Sequence, residues 1–113
     1  MVGAWELVKI EQTAETLYPD SGKYKLVITQ TEIKYILEVN WCFLHDWKII
    51  EHEIIADPSI MCTKICCDDR YTEFYKKLNY TGKYQFSNDN SILIIKNKKG
   101  VFYLKRSRWN DPD

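Results

Sequence analysis

The sequence predicts a mainly β protein, a small antiparallel β-barrel of about eight strands with one short amphipathic helix at about residues 69–78. Three observations lead there. Aromatic residues are abundant, with four Trp, eight Tyr and four Phe in 113 residues against only four Gly and three Pro, and such side chains suit pleated, half-buried surfaces. Turn-forming clusters recur at short intervals, notably "YPDSGK" at 18–23, "SNDNS" at 87–91 and "NKKG" at 97–100. A single stretch has helical rather than strand periodicity. Many strands with short connections favour a closed barrel or small sandwich over a helix-covered parallel sheet.

Taken in order, strands are expected at 4–12, 23–30, 32–42, 47–55, 59–63, 83–87, 91–97 and 101–106. The third alternates most clearly, with Ile33, Tyr35, Leu37, Val39 and Trp41 on one face and Lys34, Ile36, Glu38 and Asn40 on the other. The last three form a meander, because "SNDNS" and "NKKG" separate them. Between the fifth and sixth strands, Tyr71, Phe74, Tyr75 and Leu78 fall at i, i+3, i+4 and i+7, one stripe of a helix. Asp68 or Asp69 caps its start, and Lys76 and Lys77 complement the dipole of its last turn. The stripe serves packing over a barrel end or forms a ligand wall. Residues 1–108 read as one domain, since 113 residues leave no second half large enough for its own core, and 109–113 read as a polar tail.

Sixteen basic and sixteen acidic residues cancel, so no global field draws the chain to nucleic acid or to anionic membranes. The basic run through "KNKKG" and "YLKRSR" reads as solvated protection of a hairpin and edge strands. No apolar run approaches the ~20 residues of a membrane span, and "MVGAWELVKIEQ" lacks the character of a signal peptide. As written, the chain is expected in the cytoplasm, with the bacterial periplasm or a lipid-anchored envelope location as the alternative if an export signal precedes Met1.

Among groups that carry chemistry, Cys42, Cys62, Cys66 and Cys67 with His45 and His52 supply enough donors for zinc. The spacing C-x3-C-C nevertheless lacks the paired C-x2-C knuckles of a zinc site, and no C-x-x-C redox pair is present. In "EHE", Glu51 and Glu53 are expected on one strand face with His52 on the other, as the wet face of a strand. No catalytic constellation, metal site or cofactor motif emerges. The sequon "NYT" at 79–81 matters only in a eukaryotic secretory pathway.

Three stretches taken together resemble a known family. "GAWELVKI" at 3–10 is similar to the G-x-W-x-L-V opening strand of lipocalin-like proteins. "NWCF" at 40–43 resembles the n-G-C-N element, and "CTKICCDD" with "TEFYKKLNYTGKYQFSNDNSILIIKNKKGVFYL" resembles the closing half of the META domain, a family of bacterial envelope proteins. Trp41 and Phe43 stand where that element has glycine and asparagine, and Cys66 where alanine is usual. The resemblance implies a small lipocalin-like barrel with Trp5 closing one end beneath a basic residue of the last strand. Lys105 and Arg106 are the candidates, and Arg106 is the better one because a planar guanidinium stacks on a ring. It further implies that Cys42 and Cys67 lie in neighbouring strands. A bridge between them in an oxidising compartment would add roughly 3 kcal/mol, whereas reduced they would be buried apolar thiols.

The function expected is a non-enzymatic binding or envelope-stress module that takes a small apolar ligand or a protein at the barrel mouth or rim loops. The alternative is a small barrel-type inhibitor or immunity protein that blocks a protease, a lysozyme or a toxin through a loop. Trp41, Phe43, His45 and Trp47 in "NWCFLHDW", read as a turn, together with Tyr35, are the candidate binding residues. An aromatic turn is either a hot-spot loop or a barrel-end plug. A monomer is the default.

Overall fold

In the computed structural model, which describes residues 2–19, 24–37, 41–62, 78–87 and 89–107, alternating apolar positions build one antiparallel sheet that curls until its first and last long strands meet. The strands are β1 (Gly3–Glu11), β2 (Thr16–Leu17), β3 (Lys25–Ile28), β4 (Ile33–Ile36), β5 (Trp41–Ile50), β6 (Glu53–Cys62), β7 (Gly82–Phe86), β8 (Ile92–Asn97) and β9 (Gly100–Ser107). From β3 to β9 each pairs with its successor, and β1 pairs with both β3 and β9. The result is a β-barrel in which β2 only extends the edge of β1, through Ile10 opposite Leu17 and Glu11 opposite Thr16. No helix occurs among the described residues; the one expected at 69–78 lies outside them apart from Leu78, as do Cys66, Cys67 and the tail at 109–113.

The period of two decides what fills the barrel. Trp5, Leu7 and Ile10 of β1, Leu26 and Ile28 of β3, Ile33 and Tyr35 of β4, Leu93 and Ile95 of β8, and Phe102 and Leu104 of β9 are each at most 3 % exposed. A register shift between Leu7 and Lys9 keeps Ile10 inside after Leu7, which is the effect of a β-bulge on side-chain parity. The opposite wall is looser. Leu44, Trp47 and Ile49 of β5, Cys62 of β6 and Tyr84 and Phe86 of β7 pack against the same core but are only half-buried. The seam between β6 and β7 is held by two register pairs, Glu53 with Lys83 and Ile54 with Gly82.

Three expectations are corrected. The single strand expected at 32–42 is the hairpin β4–β5, in which Ile36 pairs with Trp41; Tyr35 therefore points inward at 3 % exposure while Trp41 is half-buried on the other face. "NWCFLHDW" is not a turn. β5 runs through it, absorbing register shifts at Leu44, His45 and Lys48 and a left-handed Asp46 at φ 48°. The reversal comes instead at Glu51 and His52, with φ of 47° and 65°, closed by the pair Ile50 and Glu53. This is the geometry of a two-residue hairpin turn that ordinarily selects Asn-Gly, so nothing in "EHE" announced it. Pro58 falls between the Asp57 and Ile60 pairs of β6, at the irregularity, where proline interrupts no regular ladder.

The third correction concerns the cysteines. Cys42 is bonded to Cys62, not to Cys67, and the two are direct register partners on β5 and β6 with Cα atoms 4.0 Å apart. Cys42 is fully buried and Cys62 half-buried.

Candidate functional site

One end of the barrel is sealed. Trp5 is 0 % exposed, Phe86 packs against its ring at 5.6 Å, and the Arg106 guanidinium stands 4.2 Å from the ring centroid. Arg106 and Trp5 are register partners on β9 and β1, so adjacency in the sheet brings the cation over the ring. The Arg106 N–H donates to the Ser91 carbonyl at 3.0 Å, and its guanidinium reaches the Asn90 carbonyl at 3.4 Å. A Cβ on Gly3, whose φ is 148°, would lie 3.2 Å from the Arg106 guanidinium. The glycine two residues before the tryptophan thus makes room for the cation.

Towards the far end of β1, two tyrosines meet inside. Tyr35 and Tyr80 meet edge to face at 4.6 Å, and Tyr80 meets Phe102, the partner of Ile10, at 5.5 Å. The Tyr80 backbone N–H donates to the Tyr35 hydroxyl at 2.8 Å, so a side chain from β4 supplies the acceptor that a strand would otherwise provide. The segment leading into β7 is held in two further ways. The Asn97 side-chain amide donates to the carbonyls of Asn79 and Thr81 at 2.6 and 2.7 Å. Asn79 Oδ1 accepts from the Thr81 N–H and hydroxyl at 3.0 and 2.6 Å, which gives the "NYT" sequon a structural role. Burial raises the pKa of Tyr35, against the hydrogen bond from Tyr80. Burial likewise raises that of Tyr80, with the charges of ionised Tyr35 and Tyr24 adding to the effect; both phenols stay neutral donors. The Tyr80 hydroxyl has no hydrogen-bond partner among the described residues.

The remaining expected site residues separate. Trp41 and Phe43 point outward from β5 and meet edge to face at 4.5 Å, with the Lys34 ammonium 5.0 Å from one ring and 5.8 Å from the other. Trp47 faces inward among the half-buried lining, because the register shifts after Leu44 exchange the faces of the strand. His45 lies on β5 opposite Asp57, and its side chain lies outside the description. Sequence reasoning missed Tyr80, Tyr84 and Phe86. Their alternation along "YTGKYQF" was the available signal, since these three share one face with Gly82.

Other features carry less. An open depression of about 700 Å³ lies between the turn after β1 and the turn joining β8 to β9, lined by Gln12, Thr13, Lys98 and Lys99 among others, and none of its lining residues is buried. At its edge the Tyr103 hydroxyl donates to Glu11 at 2.9 Å and Lys9 stands 3.3 Å from the other carboxylate oxygen, which together lower the Glu11 pKa. Among the described residues no group of three or more His, Cys, Asp and Glu is assembled, and no helix is long and apolar enough to cross a membrane.

Comparison with family models, curated proteins and solved structures finds no match to this chain.

Proposed function

We propose that the chain is a non-enzymatic binding module of lipocalin-like architecture that takes a small, largely apolar ligand along the β5–β7 wall of its barrel. The observation that carries this reading is the difference between the two walls. Inward residues of β1, β3, β4, β8 and β9 are fully buried, whereas Trp47, Ile49, Tyr84 and Phe86 keep part of their apolar surface in contact with solvent. Covering such surface is favourable by roughly 25 cal/mol per Å², and concave apolar linings with a few polar groups are where small molecules bind. The Trp5–Arg106 seal and the Gly3-x-Trp5 opening support the lipocalin-like assignment, as does the resemblance to META-type barrels. The test is native mass spectrometry after gentle purification, followed by displacement of a neutral fluorescent probe such as N-phenyl-1-naphthylamine. Retained ligand mass, or saturable probe binding weakened by Trp47→Ala and Tyr84→Ala, is expected; no probe binding to the folded chain would sink the proposal.

A second reading has its own observation. The outward Trp41–Phe43 pair with Lys34 is an aromatic patch of the kind that anchors protein partners, compatible with an inhibitor or other protein-binding role. Pull-down with wild type and with Phe43→Ser separates it from the first, since that substitution lies outside the barrel. For compartment, the Cys42–Cys62 bridge favours an oxidising location over the cytoplasm, and non-reducing mass analysis of protein from its native cell tests this.

A further inference from the structure

The interior contains a hydrogen-bonding pair that the fold itself uses only in part. Tyr35 accepts a hydrogen bond from the Tyr80 backbone, which occupies oxygen lone pairs and leaves its own O–H to donate. The Tyr80 hydroxyl is 1 % exposed at residue level and meets no partner among the described residues. A buried hydroxyl left unsatisfied is unfavourable, so a fold that holds one gains when an acceptor arrives. Tyr80 also stands where the wall is least closed. It lies just before the last β6–β7 pair, Ile54 with Gly82, and shares its face with Tyr84 and Phe86, which form the half-buried lining.

We propose that Tyr80, its backbone held by the Tyr35 hydroxyl, forms a subsite for an uncharged oxygen acceptor, such as a ketone, ester or amide carbonyl, at one end of an otherwise apolar ligand lying against Tyr84. This rests on the binding reading above and specifies the ligand's polar end. A carbonyl oxygen accepts the free phenol proton of Tyr80, while Tyr35 holds the Tyr80 backbone in place. A carboxylate does not suit the site, because no charged side chain is buried among the described residues and an unpaired charge is expensive to desolvate.

The experiment compares acetophenone with ethylbenzene, which share size and shape and differ by the carbonyl, using calorimetry or ligand-observed NMR on wild type, Tyr80→Phe and Tyr35→Phe. Wild type should prefer acetophenone by about tenfold, the worth of roughly one hydrogen bond. Tyr80→Phe removes a hydroxyl the fold does not use, so it should remain folded, bind ethylbenzene as wild type does and lose most of the preference. Tyr35→Phe should lower the preference as well. Equal binding of the two compounds by wild type, or a preference untouched by Tyr80→Phe, overturns the subsite while leaving the barrel a binding module. Binding of neither compound removes the binding reading, and the subsite with it.

Discussion

Replacing Tyr35 by Phe should destabilise the barrel, although it deletes one atom from a residue that keeps its ring. The hydroxyl accepts the Tyr80 N–H at 2.8 Å, and the two residues are 3 % and 1 % exposed. Deleting it strands a backbone donor where water does not reach, at a cost of about 1–3 kcal/mol. In a domain of this length each kcal/mol moves the melting temperature by about 4 °C, so calorimetry should show a fall of about 4–12 °C. The control is Tyr80→Phe, the same chemical change in the same environment. Its hydroxyl has no partner among the described residues, so the ligand-free variant should stay within about 1 kcal/mol of wild type or exceed it. Amide exchange at Tyr80 should accelerate in the first variant and not in the second. Equal losses in the two variants, or a loss under about 0.5 kcal/mol for Tyr35→Phe, would refute the reasoning.

Four further outcomes are expected. Because burial raises both phenol pKa values above the ordinary 10.0, their contribution to stability is complete below pH 10 and is lost as pH rises beyond it; urea midpoints between pH 8 and 11.5 should show the decline. Peptide mapping without reductant should link Cys42 to Cys62, and a Cys42–Cys67 peptide would contradict the register of β5 and β6; the closed loop of about 20 residues is worth roughly 3 kcal/mol. Changing Glu51→Asn together with His52→Gly should stabilise the chain by about 1 kcal/mol, since both positions have positive φ and those residues tolerate it, less whatever the His52 ring contributes against Tyr84 at 5.6 Å. Asp89, held down to about 2 by hydrogen bonds from Ser91 and Ser87, should titrate by NMR well below its usual 3.8. Its contribution, present above pH 3.8, fades as pH falls towards 2 and is reduced in Ser91→Ala, where the Ser91 N–H and the Ser87 hydroxyl still donate to the carboxylate.

The β class and the last meander were legible because strand-forming runs and turn residues agree there. "SNDNS" reverses the chain with Asn90 at φ 59° and Asp89 accepting from both serines, as turn chemistry requires. The middle of the chain was not legible, and one cause explains most of it. The reversal at Glu51 and His52 uses residues that seldom adopt left-handed backbone, so the turn was sought at "NWCFLHDW" and a single strand was drawn through residues 37–41. The hairpin about 51 and 52 would by itself set Cys42 opposite residue 61; the register shifts at Leu44, His45 and Lys48 move its partner to Cys62 and put Trp47 on the face opposite Trp41 and Phe43. The cysteine partner followed from a turn and register shifts that composition does not reveal. Tyr80 stayed hidden for another reason: its role depends on Tyr35, 45 residues away in sequence, and no local pattern encodes that meeting.

The irregular features of the barrel are not scattered. The strained turn, the left-handed Asp46, the shifts around His45 and the proline of β6 all lie between Trp41 and Cys62. Of the ladders that close the barrel, leaving aside the short edge strand β2, the shortest joins that hairpin to β7, and the half-buried lining belongs to the same strands apart from Leu17. Regular registers and full burial characterise β8, β9, β1, β3 and β4 instead, apart from the single shift in β1. Any one departure could be an accident of local sequence, but a sheet gains little by collecting them in one wall while the other remains regular. Local instability is what a wall needs if it is to part around a guest, and the elements that move in binding are drawn from the less stable parts of a structure. The disulfide lies at the end of β5–β6 away from the hairpin turn, joining Cys42 to Cys62. It holds the two long strands together as a unit, so that the weakest line left in the wall is the seam between β6 and β7, beside Tyr80.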